Sequence, residues 1–155
     1  MIKKAVLILA IILFLPFSCQ RSVEFDQFST IDKSGWSWND PLTFEVELND
    51  TVNLYDLFIQ VRHTVDYPMS NLYMFVKVAG PSGQSLTDTV NFILAESDGM
   101  WLGSGVGKLK ELRLLYRKNT LFTDPGIYTF VIEQGMRNPS LPVTDIGIRI
   151  EKVHQ

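Results

Sequence analysis

Apolar and polar residues alternate along much of this chain. LTFEVEL (42–48) is the cleanest instance: Leu42, Phe44, Val46 and Leu48 fall on one side, Thr43, Glu45 and Glu47 on the other. A period of two marks a strand with one buried face. YDLFIQVRH (55–63) puts Leu57, Ile59 and Val61 on one face, and VTDIGIRIEKV (143–153) does the same with Ile146, Ile148 and Ile150. LYMFVKVAG (72–80) is nearly continuous in apolar residues, which predicts a central strand. TDTVNFILA, DGMWLGSGVG, ELRLLYRKN and DPGIYTFVIEQ continue the series. NDTVN, DYPMSN and PSGQ interrupt it, and Pro68 holds Tyr67 extended. A first strand is a candidate around 23–28. One segment competes with the pattern: in KLKELRLLYRK (108–118) the leucines at 109, 112 and 115 also fit helical spacing. Eight or so short strands at near-regular intervals predict an all-β fold, an antiparallel β-sandwich of jelly-roll or immunoglobulin-like order.

The first 18 residues, MIKKAVLILAIILFLPFS, break from this periodicity. Lys3 and Lys4 precede an unbroken apolar run from Ala5 to Leu15, and small Ser18 precedes Cys19. Charged end, apolar middle and small residue are the parts of a secretory signal. The apolar run falls short of the roughly 20 residues that span a bilayer. Cys19 is the only cysteine, so no intramolecular disulfide can form. Its position at the end of the apolar run resembles a bacterial lipobox, although Pro16 stands three residues before it where an aliphatic residue is usual. Cleavage before Cys19, with a diacylglyceryl thioether and an acylated amine of the palmitate type, would hold the rest at a membrane. One chain anchors marginally, each buried methylene adding about 0.8 kcal/mol, and two or three chains anchor durably. The organisation expected is a lipoprotein signal peptide at 1–18, the lipidated Cys and a tether, with a candidate first strand, at 19–40, and the sandwich domain at 41–155. As a free tether, residues 20–40 would reach at most roughly 70 Å at about 3.3 Å each.

The full chain carries 14 basic and 17 acidic residues, a net charge of −3. Loss of Lys3 and Lys4 with the leader makes it more acidic. No basic patch points to nucleic acid, and the charge gives no attraction to anionic lipid, so the acyl chains must do the anchoring.

Candidate chemistry is sparse. GMWLGSGVGKLKE (99–111) lacks the Gly-Lys-Ser/Thr ending of a phosphate loop, since Leu109 follows Gly107-Lys108. The dinucleotide fingerprint fails where Lys108 replaces its third glycine. The glycines around Trp101 fit a bulge or tight bend. Ser104 lacks the nucleophile-elbow pattern, because position 102 is Leu. His63 ends a strand and His154 is next to the last residue, so a triad has little to draw on. No His or Cys cluster has zinc spacing, and no cofactor or small-molecule substrate is expected. Asp50, Asp56, Asp66, Asp88 and Asp98 sit near loops as calcium candidates, without the calcium-loop pattern. Of Trp36 and Trp38, alternating in SGWSWNDP, one is expected to be buried. Arg62, Arg137 and Arg149 suit carboxylate pairing at a sheet face.

RHTVDYPMSNLYMFVKVAGPSG, DGMWLGSGVG and GIYTFVIEQGMRNPSLPVTDIGIRIEKV together closely resemble the gliding-motility lipoproteins called GldH, of the Bacteroidetes. The likeness covers nearly all of the chain after Cys19, which matches the family's lipidated Cys. It implies a non-enzymatic envelope protein of the gliding machinery, tied to type IX secretion, with other gliding-motility envelope proteins and the lipid membrane as partners. The positions matching the recurrent motif are Arg62, His63, Tyr67, Pro68, Asn71, Trp101, Gly103, Gly105, Gln134, Arg137 and Gly147, expected to be fold-defining first and partner-facing second. Gln20 is not the Asp that retains lipoproteins at the inner membrane, and Gln20-Arg21-Ser22 lacks an acidic export run. The outer membrane, on its periplasmic face, is the expected location. A carbohydrate-binding lipoprotein using Trp36, Trp38 and Trp101, or a hydrolase built on His63 and two carboxylates, are the alternatives.

Overall fold

The computed structural model describes residues 22–153, which form ten β-strands and no helix. They are β1 (Val23–Thr30), β2 (Trp36–Ser37), β3 (Leu42–Leu48), β4 (Leu54–Thr64), β5 (Asn71–Ala79), β6 (Ser85–Ile93), β7 (Leu109–Leu121), β8 (Gly126–Gln134), β9 (Ser140–Leu141) and β10 (Val143–Lys152). One sheet has the order β1-β10-β4-β7 and the other β3-β8-β5-β6; β2 and β9 form a small ribbon. Cys19, the signal segment and His154 lie outside the described residues.

The pairing scheme separates the two candidate sandwich orders. Setting the two short strands aside, the first long strand pairs with the last, β1 with β10. The next pair inward is β3 with β8, then β4 with β7, then β5 with β6. All are antiparallel, so the chain is one long hairpin rolled up until β10 meets β4 and β8 meets β5. That nesting is a jelly roll.

Residue patterning follows the sheets. In β3 the four apolar positions face inward and the three polar ones outward. Ile146, Ile148 and Ile150 of β10 meet Leu57, Ile59 and Val61 of β4 in a core with Met74, Val76, Phe130 and Ile132 from the facing sheet. β5 is an interior strand as expected, but only Leu72, Met74 and Val76 are buried; Tyr73 and Phe75 are each 41 % exposed on the outer face.

The helical spacing in 108–118 does not produce a helix. β7 runs through it, turning Leu112, Leu114 and Tyr116 inward and Glu111, Arg113 and Leu115 outward. The same leucines satisfy both periods, and pairing along all of β4 decides between them. Two extra residues in β7 shift the register on either side of Leu57, with Asn119 at φ +52°. Asn tolerates that region, and its N–H donates to the buried Asp56 carboxylate at 2.9 Å. DGMWLGSGVG is likewise not a strand. It lies in a loop fastened by isolated bridges between Ala95 and Trp101 and between Ser104 and Glu111.

β1 changes the reach of the amino end. Its ladder with β10 starts at Val23, and the Ser22 carbonyl already accepts the Lys152 N–H at 2.8 Å. From Cys19 to the paired Ser22 the chain can reach about 10 Å at full extension, so its reach ends at Ser22 rather than at residue 40. Further along β1, Phe28 lies opposite Gly147. A Cβ on Gly147 would come within 2.9 Å of both the Gln27 carbonyl and Phe28 Cδ1, and 3.0 Å of Gln60 Oε1. The glycine is required because a ring and a second strand close over it.

Replacing Gly147 with Val should lower stability by about 1–3 kcal/mol through overpacking. The urea midpoint of the purified variant should fall while its slope stays that of the parent.

Candidate functional site

The rolled hairpin sorts its loops by length. Residues 49–53, 80–84 and 122–125 are short turns at one end, together with Ser22 and Val153. Residues 31–41, 65–70, 94–108 and 135–142 gather at the other. Every motif position except mid-strand Gly147 lies in or beside those longer loops.

At the centre of this end stands His63, the last inward residue of β4 and 0 % exposed. Its ring is 4.6 Å from that of Trp101 and 5.5 Å from that of Tyr67, both tilted contacts. Tyr67 and Trp101 complete the triangle edge-on at 6.4 Å. His63 Nδ1 is 2.9 Å from the Thr64 carbonyl, which can only accept, so the ring proton sits on Nδ1. Burial and then the Lys110 charge push the imidazole below its ordinary pKa, against the raising effect of the Thr64 carbonyl. Burial likewise pushes the Tyr67 phenol upward, and its hydroxyl donates to the Asn71 carbonyl at 3.0 Å. The cluster is a neutral packed plug. The hydrolase alternative needs His63 in a cleft with two carboxylates; two aromatic rings occupy its flanks instead.

The glycines after Trp101 bring the loop back against β7. A Cβ on Gly103 would be 2.7 Å from Leu112 Cδ1 and 2.8 Å from the Glu111 carbonyl. Ser104 and Glu111 exchange both backbone hydrogen bonds, at 3.0 and 2.7 Å. With Trp101 turned inward, Met100 and Leu102 point out at 64 % and 49 % exposure, and Val106 is almost fully exposed. The fingerprint-like glycines serve this return.

Gln134, buried at the end of β8, pins the next loop. Its amide donates to the Asn138 carbonyl at 2.8 Å and accepts the Met136 N–H at 2.9 Å. The Met136 carbonyl in turn accepts the Trp38 indole N–H at 2.6 Å. Arg137 is exposed at the rim of an open groove of about 650 Å³, also lined by Met69, Asn71, Tyr73 and Asn138. Asn71 donates to the Asn91 side chain at 2.8 Å.

Arg62 leaves the opposite face of β4. Its Nε donates to Glu111 at 2.7 Å, and the guanidinium lies 3.8 Å above the Phe28 ring that covers Gly147. Arg62 and Gly147 are thus joined through Phe28, a residue no sequence motif singled out. Arg149 pairs with Asp26 and, at 2.6 Å, with Glu151.

The tryptophans do not share an exposed face. Trp36 is fully buried with its N–H on the Asp40 carbonyl, Trp101 is half-buried in the aromatic triangle, and Trp38 alone is exposed. That arrangement counts against a three-tryptophan sugar platform. Four of the five calcium candidates have structural duties. Asp50 accepts from Lys152, Val52 and Asn53, Asp56 from Asn119, Asp88 from Tyr116 and Arg117, and Asp98 from Met100. Among the described residues no three of His, Cys, Asp and Glu come together as a metal-ligand set.

The GldH lipoprotein family model matches residues 23–150. A gliding motility lipoprotein GldH homolog from Christiangramia forsetii is 35 % identical over 155 residues, covering 95 % of this chain and 93 % of that one. The gliding motility lipoprotein GldH of Flavobacterium johnsoniae is 33 % identical over 158 residues, covering 97 % and 96 %. Among solved structures, a family GH115 4-O-methyl-α-glucuronidase superposes with a TM-score of 0.46 at 11 % identity, over 90 % of this chain and 19 % of that chain.

Because the folded state disfavours the His63 cation, the unfolded chain takes up the proton first. His63 stabilisation should be complete above pH about 6.5 and decline as pH falls below it. Urea midpoints measured across this range should fall more steeply for the parent than for a His63→Gln variant.

Proposed function

The chain belongs to the GldH lipoprotein family, and from this we propose that it is a non-enzymatic component of the gliding-motility machinery associated with type IX secretion, held through acylated Cys19 at the periplasmic face of the outer membrane. One observation carries the non-enzymatic reading. The motif residues build a packed, hydrogen-bonded end whose one imidazole is inaccessible. Tyr67, Trp101 and Gln134 are spent on holding loops in place. Such an end suits steady presentation of a surface better than turnover of a substrate.

The physical role is confinement. Acyl chains on Cys19 restrict the domain to one leaflet. Contacts too weak to hold freely diffusing molecules together then suffice between neighbours. The accessible members of the motif end, exposed Arg137 and half-buried Asn71 beside Met100 and Leu102, are the surface offered to other gliding-motility envelope proteins. The outer-membrane location is supported by Gln20 after the Cys, and the inner face by the absence of an acidic run at 20–22.

The lipidated protein, affinity-isolated from native membranes, should bring down motility or secretion components; recovery of glycans alone would favour a carbohydrate-binding role. Cys19→Ser protein should appear in the soluble envelope fraction and fail to restore spreading to a deletion strain. Restoration by the soluble form would show that confinement is dispensable.

A further inference from the structure

We propose that the acylated protein stands upright on its leaflet, resting on the short-turn end formed by residues 49–53, 80–84 and 122–125, with the Trp101 end directed away from the bilayer. The inference rests on acylation of Cys19 and adds an orientation to it.

The position of chain entry makes the argument. Ser22 is held to Lys152 at the short-turn end, and Val153 donates to the Leu54 carbonyl beside it at 2.8 Å. Residues 20–22 extend about 10 Å at most. In strand β4, which begins at Leu54, His63 stands nine residue steps from that end, about 30 Å away at roughly 3.3 Å each. The sheet containing β1 is four strands wide, about 14 Å between its outermost strands at roughly 4.8 Å spacing. The point of lipid attachment therefore lies within a short lateral distance of the other turns and far from the motif end.

The chemistry of the short-turn end fits a headgroup layer. Lys152 neutralises Asp50 at 2.7 Å, and Ser82 donates to Asp124 at 3.2 Å. Asn49, Thr51, Asn53, Gln84 and Thr123 supply uncharged polar groups, and Val52 projects at the tip with 82 % exposure. Tipping the molecule onto the β3-β8-β5-β6 face would instead press exposed Glu45, Glu47 and Glu133 toward the bilayer, which an anionic leaflet opposes. In the upright arrangement Met100, Leu102 and Val106 face outward from the leaflet, where the anchoring lipid cannot cover them.

The test uses the full lipidated protein, whose acylated Cys19 leaves an introduced cysteine as the one free thiol. Val52→Cys, Ser82→Cys and Val106→Cys, all at loop positions, are labelled with a fluorophore. Each is reconstituted into vesicles of phosphatidylethanolamine and phosphatidylglycerol with a headgroup-nitroxide lipid as quencher. Quenching severalfold stronger at 52 and 82 than at 106 is expected. Equal quenching at all three, or stronger quenching at 106, in protein that mass spectrometry shows to be acylated would overturn the orientation while leaving the anchoring intact. A bare thiol at position 19 would overturn the anchoring, and the orientation with it.

Discussion

The ladder between β1 and β10 is the constraint on which the rest depends. It joins the first long strand to the last, and the three inner pairings nest within it. Once the outer pair is fixed, every odd connection must return at one end and every even one at the other. The short turns and the chain entry thereby share an end, and the long loops share the opposite one. A fold held by this closure does not need a disulfide, which a chain with one cysteine could not form within itself. The core between the sheets contains apolar side chains from both, and removing them from water is the dominant favourable contribution to folding.

Two small constellations extend this closure to the motif end. On the outer face, Phe28 from β1 lies over Gly147 of β10 and receives the Arg62 guanidinium from β4, so three strands share one stacked contact. Arg62 continues to Glu111 on β7, joining the fourth strand of the sheet. On the inner side, His63, Tyr67 and Trp101 bring the ends of β4, the following loop and the long 94–108 loop into one aromatic contact. Loops of this length carry many backbone groups that water can compete for, and an aromatic plug with local hydrogen bonds fixes them at small cost in side-chain entropy.

Much of the fold was legible because one-sided burial leaves a period-two trace. LTFEVEL reads directly as β3, and the isoleucines of 143–153 mark the inner face of β10. The leucines of 108–118 did not decide between helix and strand, since Leu112 and Leu114 serve a strand while Leu109 and Leu115 mimic a helical stripe. LYMFVKVAG looked covered on both sides; Tyr73 and Phe75 are exposed because the outer face of β5 has no layer upon it. At the motif end, the resemblance picked out residues that do converge. Phe28 and Glu111 escaped notice because their shared partner Arg62 lies 34 and 49 positions away, and no local pattern records such distances.

The bond between the Thr30 hydroxyl and Asp145 spans 115 positions, and the whole outermost ladder has separations of this kind. Contacts so remote in sequence form late, after loop-closure entropy has been overcome by nearer pairings. A chain delivered amino end first presents β1 before any of its partner exists. The hairpin of β5 and β6 can assemble early, while β1 stays an unpaired edge until the carboxyl-terminal strand arrives. The amino-terminal strand, the first to emerge, is thus the last to be stitched into the sheet.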